Sequence, residues 1–325
     1  MIEQRENLKI DAVITWVDGS DPEWQKNINT HSPVKIDFEK KKESVRYNSI
    51  GEIDIAIKSI INFAPFVNTI FLVTDNQKPE NFDILKELAE EKNINLSLID
   101  HKITFRGYEQ YLPCFNSCSI GNMLFRIPNL SEYFIIFNDD TFLMRETKPS
   151  DFFLDKNPVV RGKWKNFYEN QSLRNSYYKV LSIFGKKEKK GGFKTFQQTS
   201  AKLAGVKKYV RRFHTPVSLR KSTLENFFKD NELLESNIKF RFRNKDQFII
   251  SSLAEHLEIK NNTYKFKGKA QLTYFRSYKY HFVVVLKLFL FEMNRKKLFM
   301  TFQSLEMAEQ RTIDYIFTWI NRRLN

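Results

Sequence analysis

The sequence predicts an α/β fold with a parallel sheet, on three observations: four short, near-continuous apolar runs, helical hydrophobic periodicity between them, and an acidic residue closing each run. At 325 residues and 42% hydrophobic content, the chain is long enough for one large α/β domain or a domain with an insertion. It is too rich in core-forming residues to stay disordered.

The runs are IDAVITWVDG (10–19), NTIFLVTDN (68–76), INLSLID (94–100) and EYFIIFNDD (132–140). Strands covered on both faces lose the usual polar alternation and look like this. Between them, EIDIAIKSIINF (52–63), NFDILKELAEEK (81–92) and SCSIGNMLFRI (117–127) carry helical spacing. Strand–helix alternation implies right-handed crossovers between parallel neighbours. After Lys148-Pro149 the pattern loosens, and the tract GKKEKKGG (185–192) reads as an exposed mobile loop. Helical pattern returns in STLENFFKDNELL (222–234), where Ser222 and Glu225 have capping-box spacing. It continues in KDQFIISSLAEHLEI (245–259) and in SLEMAEQRTIDYIFTWINRRL (304–324), which aligns Ile313, Ile316, Phe317 and Ile320.

Charge divides the chain. The net charge is +15, of which residues 1–150 contribute −6 and residues 151–325 contribute +21; residues 161–220 alone carry +14. A face that basic attracts phosphate, nucleic acid, acidic polymer or an anionic membrane. The opening MIEQRENLKI lacks the apolar segment of a secretory signal, so the protein is expected in the cytoplasm. HFVVVLKLFLF (281–291) is about half of the ~20 residues that span a bilayer and reads as a buried or interfacial element. Two cysteines, Cys114 and Cys118, make no disulfide framework and at most half a metal site.

The runs end in Asp18, Asp75, Asp100 and the pair Asp139-Asp140. Ligands of open α/β sheets bind at the carboxyl ends of strands, so these acids are expected on one rim. Any single Asp there is equally a turn starter. Asn138-Asp139-Asp140 puts two hard oxygen ligands where Mg²⁺ or Mn²⁺ meets a diphosphate, although an acidic turn explains the triplet alone as well. His214 sits in RRFHTPVSLRKS (211–222) among Arg211, Arg212, Arg220 and Lys221, a setting suited to a neutral imidazole acting as general base. A histidine hydrogen-bonded in a turn is the plainer alternative. His31, His101, His256 and His281 have no comparable setting, and His256 is expected on a helix surface. FRFRNKDQF (240–248) sets Arg241 and Arg243 beside Asp246, either as a phosphate clamp or as a surface ion-pair cluster.

Taken together, IDAVITWVDGSDPEW (10–24), RYNSIGEIDIAIKSIINFAPFVNTIFLVTDNQKP (46–79), LPCFNSCSIGNMLFRIPNLSEYFIIFNDDTFL (112–143), KPSDFF (148–153) and HTPVSLRKSTLENF (214–227) running on to FRFRNKDQF resemble the conserved regions of the Stealth family of hexose-1-phosphate transferases. That family includes bacterial capsular polysaccharide phosphotransferases and the α/β subunit of the lysosomal-enzyme N-acetylglucosamine-1-phosphotransferase. The resemblance implies a GT-A-like, Rossmann-like nucleotide-sugar core. It is expected to divide into a donor and metal half (1–160), a basic flexible insertion (161–212) and a histidine-bearing, helical C-terminal part (213–325). It implies His214, Asp139, Asp140, Arg243 and Asp246 as catalytic residues, with Asp139 and Asp140 on Mg²⁺ or Mn²⁺. Substrate contacts are expected from Asp18, Arg46, Asn48, Asp75, Asn76, Asn138, Arg211 and Arg241. Two positions depart from the family pattern: Ile120-Gly121 stands where relatives often have Ile-Glu, and Phe302-Gln303 where they have Asn-Asp.

The implied reaction transfers sugar-1-phosphate from a UDP-N-acetylhexosamine to a hydroxyl of a growing surface polysaccharide and releases UMP. An acidic, phosphodiester-linked acceptor accounts for the basic second half, with Lys186, Lys187, Lys189 and Lys190 as candidate contacts. A peripheral place at the inner membrane face beside the export machinery is the other use of that charge. The rivals are a GT-A glycosyltransferase that releases UDP and a basic non-enzymatic protein binding RNA or membrane; no nucleic-acid motif is recognisable.

Overall fold

The structure, a computed structural model, describes residues 8–40, 47, 50–171 and 192–324. Arg46, Asn48 and the lysines of the 185–192 tract lie outside the described residues. The elements in order are β1 (Ile10–Thr15), α1 (Pro22–His31), α2 (Glu52–Phe63), β2 (Val67–Thr74), α3 (Phe82–Glu91), β3 (Asn95–Asp100), α4 (Ser117–Met123), β4 (Tyr133–Asn138) and β5 (Thr141–Leu143). There follow β6 (Phe153–Leu154), β7 (Asn157–Lys165), α5 (Phe193–Leu203), β8 (Tyr209–Arg212), β9 (Val217–Arg220), α6 (Lys221–Phe228), α7 (Leu233–Ile238) and α8 (Ile250–Lys260). The chain closes with β10 (Lys265–Lys267), β11 (Leu272–Phe275), α9 (His281–Met293), β12 (Phe299–Phe302) and α10 (Gln310–Leu324).

The main sheet has the order β3-β2-β1-β4-β9. Its first four strands are parallel, as the apolar runs predict, and β9 closes the edge antiparallel to β4. Along β1, Ile10, Ala12 and Ile14 enter one core with α2, α3, α9 and α10, while Val13 enters the other with α4 and α8. Period-two side chains on a doubly covered sheet produce that split, and so the run reads as continuously apolar. Because the order changes direction at β1, the crevice between the carboxyl ends of β1 and β4 is a topological switch point, where α/β sheets bind ligands.

Two smaller sheets brace this edge. One is β10-β7-β6, with β8 paired antiparallel to β7; the other is β11-β12-β5. Gly162 in β7 has no room for a side chain, since a Cβ would stand 2.4 Å from Val210 Cγ1 and 2.7 Å from the Arg211 carbonyl oxygen. The described parts of 161–212 therefore include regular structure: the end of β7, α5 and β8.

Two local expectations fail. The Ser222/Glu225 capping box does not form, because the Ser222 N–H and hydroxyl both bond to the Glu132 carboxylate and Glu225 pairs with Lys221 at 3.5 Å. His256 is fully buried rather than on a helix surface. Its Nε2 accepts the Val210 N–H at 2.9 Å and its Nδ1 donates to the Ser252 carbonyl at 2.6 Å, tying α8 to β8. Burial pushes this imidazole down to about 4, below its ordinary 6.5. The unfolded chain takes up the proton first, so stability present above pH 6.5 is lost as pH falls toward 4. A His256→Leu variant is expected to lose about 1–3 kcal/mol at pH 7, since the Val210 N–H stays buried without a partner. Urea titrations at several pH values should also show it lacking this part of the acid sensitivity.

Candidate active site

At the switch point lies a cavity of about 460 Å³. Its floor comes from Thr15 and Trp16 at the end of β1 and from Asn138 and Asp139 at the end of β4. His214, Arg212 and Arg243 approach from the second half of the chain, and aromatic walls come from Tyr47, Phe115 and Phe213.

His214 sits on the turn between β8 and β9. β9 is registered against β4, Val217 opposite Ile136, and this brings the turn to the end of β4. The imidazole Nε2 lies 3.0 Å from the Asn138 amide nitrogen and 3.3 Å from Asp140 Oδ1. The same nitrogen thus faces a donor that favours its lone pair and a carboxylate that favours its proton, as a proton-transfer group requires. The charge touching it is Asp140. Of the four cations near it in sequence, Arg212 is held by Glu255, Arg220 by Glu258 and Lys221 by Glu225, while Arg211 is exposed on β8.

Distant residues fix the ring. Tyr274 stacks on it, with centroids 5.5 Å apart and planes 18° apart, and the Tyr274 hydroxyl donates to Gln303 Oε1. Burial pushes the Tyr274 phenol above its ordinary range, which keeps it neutral. The Thr301 hydroxyl donates to the His214 carbonyl at 3.2 Å and lies 3.0 Å from Thr141 Oγ1, while the Phe302 N–H donates to the Asp140 carbonyl at 3.1 Å. β12 therefore holds both the acidic turn and the histidine turn. Phe302-Gln303 has a positioning place here, with Phe302 stacked on Phe275 in the core.

Asp139 and Asp140 form the turn between β4 and β5. Burial, then the charges of Asp140 and Glu52, push the Asp139 carboxyl up to about 7. Such a pair, crowded with like charge, is relieved by a divalent cation, and Mg²⁺ needs only one or two protein carboxylates when a diphosphate supplies other ligands. The two residues fit that role. Among the described residues, no group of three or more His, Cys, Asp or Glu side chains is placed to hold a metal ion by itself.

The other acids at the strand ends are turned elsewhere. Asp18 Oδ1 accepts from the Ser20 N–H and hydroxyl, and Asp100 caps the turn at Lys102. Asp75 lies 3.6 Å from His101, and Asn76 is an exposed turn residue at φ 55°. His101, given no special setting from sequence, is buried and lines the cavity. In the same N-terminal loop, Gly19 is required by the backbone: its N–H donates to the Tyr47 carbonyl at 3.1 Å, and a Cβ would stand 2.1 Å from that oxygen.

The arginines divide similarly. Arg243 lines the cavity and donates to Ser117 Oγ at 3.0 Å. Arg241 instead donates to the carbonyls of Gln110 and Leu112, clamping that loop, and Asp246 is exposed outside the cavity wall. On β8 the parity is decisive, since adjacent side chains point to opposite sides. Arg212, not Arg211, lines the cavity, with its Nε 3.1 Å from Glu255 and a bond to Ser251 Oγ at 2.6 Å. Cys114 also borders the cavity, but burial pushes its thiol up to about 12, so it is no nucleophile. At Gly121 a Cβ would meet nothing within 4 Å, so the cavity is open where a carboxylate is missing.

Residues 8–30 match the family model Stealth protein CR1, conserved region 1, and residues 46–160 match Stealth protein CR2, conserved region 2. His214, Arg212 and Arg243 lie outside both segments and reach the site through the fold. The chain is 33% identical over 260 residues to the receptor polysaccharide phosphotransferase WefC of Streptococcus oralis, covering 73% of this chain and 74% of that one. It is 39% identical over 153 residues to the capsular polysaccharide phosphotransferase cps1A of Actinobacillus pleuropneumoniae, covering 46% of this chain and 39% of that one, so this match spans well under half of the relative's length. Among solved structures, the galactosyltransferase LgtC, in complex with donor and acceptor sugar analogues, superposes with a TM-score of 0.46 at 9% identity, covering 97% of this chain and 95% of that one. That likeness of overall course is too loose to bear on chemistry. The two matched regions and the extent shared with the streptococcal relative show that the chain belongs to the Stealth family.

Proposed function

We propose that this chain transfers N-acetylhexosamine-1-phosphate from a UDP-sugar to a hydroxyl of a growing surface polysaccharide, through a core of GT-A type. The observation that carries the reading is the meeting of His214 Nε2 with Asn138 and Asp140 in the cavity at the switch point. A bond forms between the acceptor oxygen and the β-phosphorus, and the bond from that phosphorus to the bridging oxygen breaks. UMP leaves with the electron pair, and the hydroxyl proton passes to His214 Nε2. The anomeric carbon keeps its bond to oxygen.

Asp139 and Asp140 would hold Mg²⁺ or Mn²⁺, which when bound supplies charge neutralisation on the diphosphate. Arg212 and Arg243 face the transferring phosphoryl oxygens, where fixed positive charge favours the transition state. Tyr47 and Phe115 offer faces for the uracil ring. The family names of the relatives support the reaction class, and the nucleotide donor places the work on the cytoplasmic side. An anionic, phosphodiester-linked acceptor suits the basic second half.

The test is to incubate the protein with a panel of UDP-sugars, divalent cation and acceptor, then separate UMP from UDP and seek a phosphodiester signal by ³¹P NMR. UMP with a diester supports the reading, whereas UDP makes the chain a glycosyltransferase using the same carboxylates. No cation-dependent turnover of any UDP-sugar overturns the enzymatic reading. Within that assay, Arg212→Lys is expected to lower kcat about 10- to 100-fold, since an ammonium cannot keep the Glu255 and Ser251 bonds while facing phosphate. Arg211→Gln, on the outward side of β8, should stay within about twofold of wild type.

A further inference from the structure

α9 is apolar on both sides. Val284, Leu288 and Phe291 are buried in the core, yet Phe282, Phe289 and Met293 are 68%, 58% and 70% exposed, and Leu286 and Leu290 stand beside them. A helix that is apolar all round is normally enclosed, so this one has a second apolar face with no protein on it among the described residues. The outward stripe from Phe282 to Met293 runs about 17 Å along the helix. Among the described residues, no helix is long and apolar enough to cross a membrane.

Cations mark both ends of the stripe. Arg276 and Lys279 are exposed before the helix, and Arg295 and Lys296 after it. The helix's one acid, Glu292, is held by Arg323, whose Nε lies 3.1 Å from Glu292 Oε1. At the C-terminal end, an open concavity of about 720 Å³ combines the apolar Leu290 and Met293 with Arg295, Lys296 and Lys297. Apolar side chains flanked by cations match the acyl region and headgroups of an anionic bilayer. A second copy fits poorly: antiparallel pairing of two α9 helices would set Arg295 and Lys296 against Lys279, and parallel pairing would set each cluster against itself.

We propose that α9 is a monotopic docking helix that seats the protein on an anionic lipid surface. The seat is close to the chemistry, because Lys287 Nζ donates to the carbonyl of Tyr274, the residue stacked on His214.

The test is co-sedimentation of the full chain with vesicles of phosphatidylcholine alone and of phosphatidylcholine with 30 mol% phosphatidylglycerol, chosen as about a one-third anionic surface. Binding is expected to the anionic vesicles and to weaken with salt. Arg295→Gln and Lys296→Gln should each lower partitioning about fivefold, and Phe282→Glu with Phe289→Glu should abolish it. UDP-sugar turnover in solution should be unchanged in all of them, which also shows that they fold. Equal binding by wild type and the Phe282→Glu/Phe289→Glu variant overturns the proposal. So does a wild-type dimer in sedimentation velocity that this variant dissolves without any vesicle binding, which would make the face an interface between copies.

Discussion

His214→Ala is expected to lower kcat about 10²- to 10⁴-fold, the contribution of a positioned general base. Stability should be nearly unchanged, because the imidazole is half-buried and the Thr301 bond to the backbone carbonyl survives the substitution. KM for the donor should move little, since the ring acts on the acceptor proton rather than on the nucleotide. His214→Gln retains a polar side chain but cannot carry the proton, so it should be nearly as impaired. Single-turnover release of UMP measures both. If either variant keeps turnover within a few-fold of wild type, the base lies elsewhere and Asp140 becomes the leading candidate.

Asp139→Asn and Asp140→Asn are each expected to cost about 10²- to 10³-fold in kcat, comparable to removing one group that stabilises transition-state charge. Both should need more divalent cation for half-maximal rate. The pH dependence separates them. The Asp139 carboxyl titrates near 7 because of burial and its acidic neighbours, so a proton competes with the cation, and cation affinity in wild type should fall as pH drops through 7. Without cation the sign reverses. The folded protein binds this proton more tightly than the unfolded chain, so stability present at low pH is lost as pH rises through about 7. Asp139→Asn has no charge to bury and should lose less stability between pH 6 and pH 8. Thermal melts in a chelator measure that difference, and parallel curves for the two proteins would place the titrating group elsewhere.

The parallel core was legible because strands buried on both faces leave an unbroken apolar run, and the helices between them repeat every three to four residues. β9 was not. VSLR is four residues long, and its place in the sheet comes from pairing with β4 more than 75 residues earlier in the chain. The acids at the strand ends were legible as a rim, but their direction was not: Asp18 and Asp100 turn back onto neighbouring N–H groups, while Asp139 faces the cavity. Choosing between Arg211 and Arg212 required the parity of β8. Burial along YVRR does not supply it, because Tyr209 and Val210, on opposite sides of the strand, are both buried; the pairing of Arg212 with Glu255 of α8 marks its side. Tyr274, Thr301, Gln303 and Glu255 carried no local signal, since each serves a residue 29 or more positions away.

The β7–β8 ladder, closed tightly where Gly162 meets Val210, brings Lys165 opposite Tyr209. The closure also sets α5 in place, since its Gln197 accepts the Arg212 N–H at 3.0 Å and its Ser200 hydroxyl donates to the Ile249 carbonyl at 2.9 Å. The ladder works as a clasp: by fixing where the chain turns back, it delivers Arg212 to the cavity.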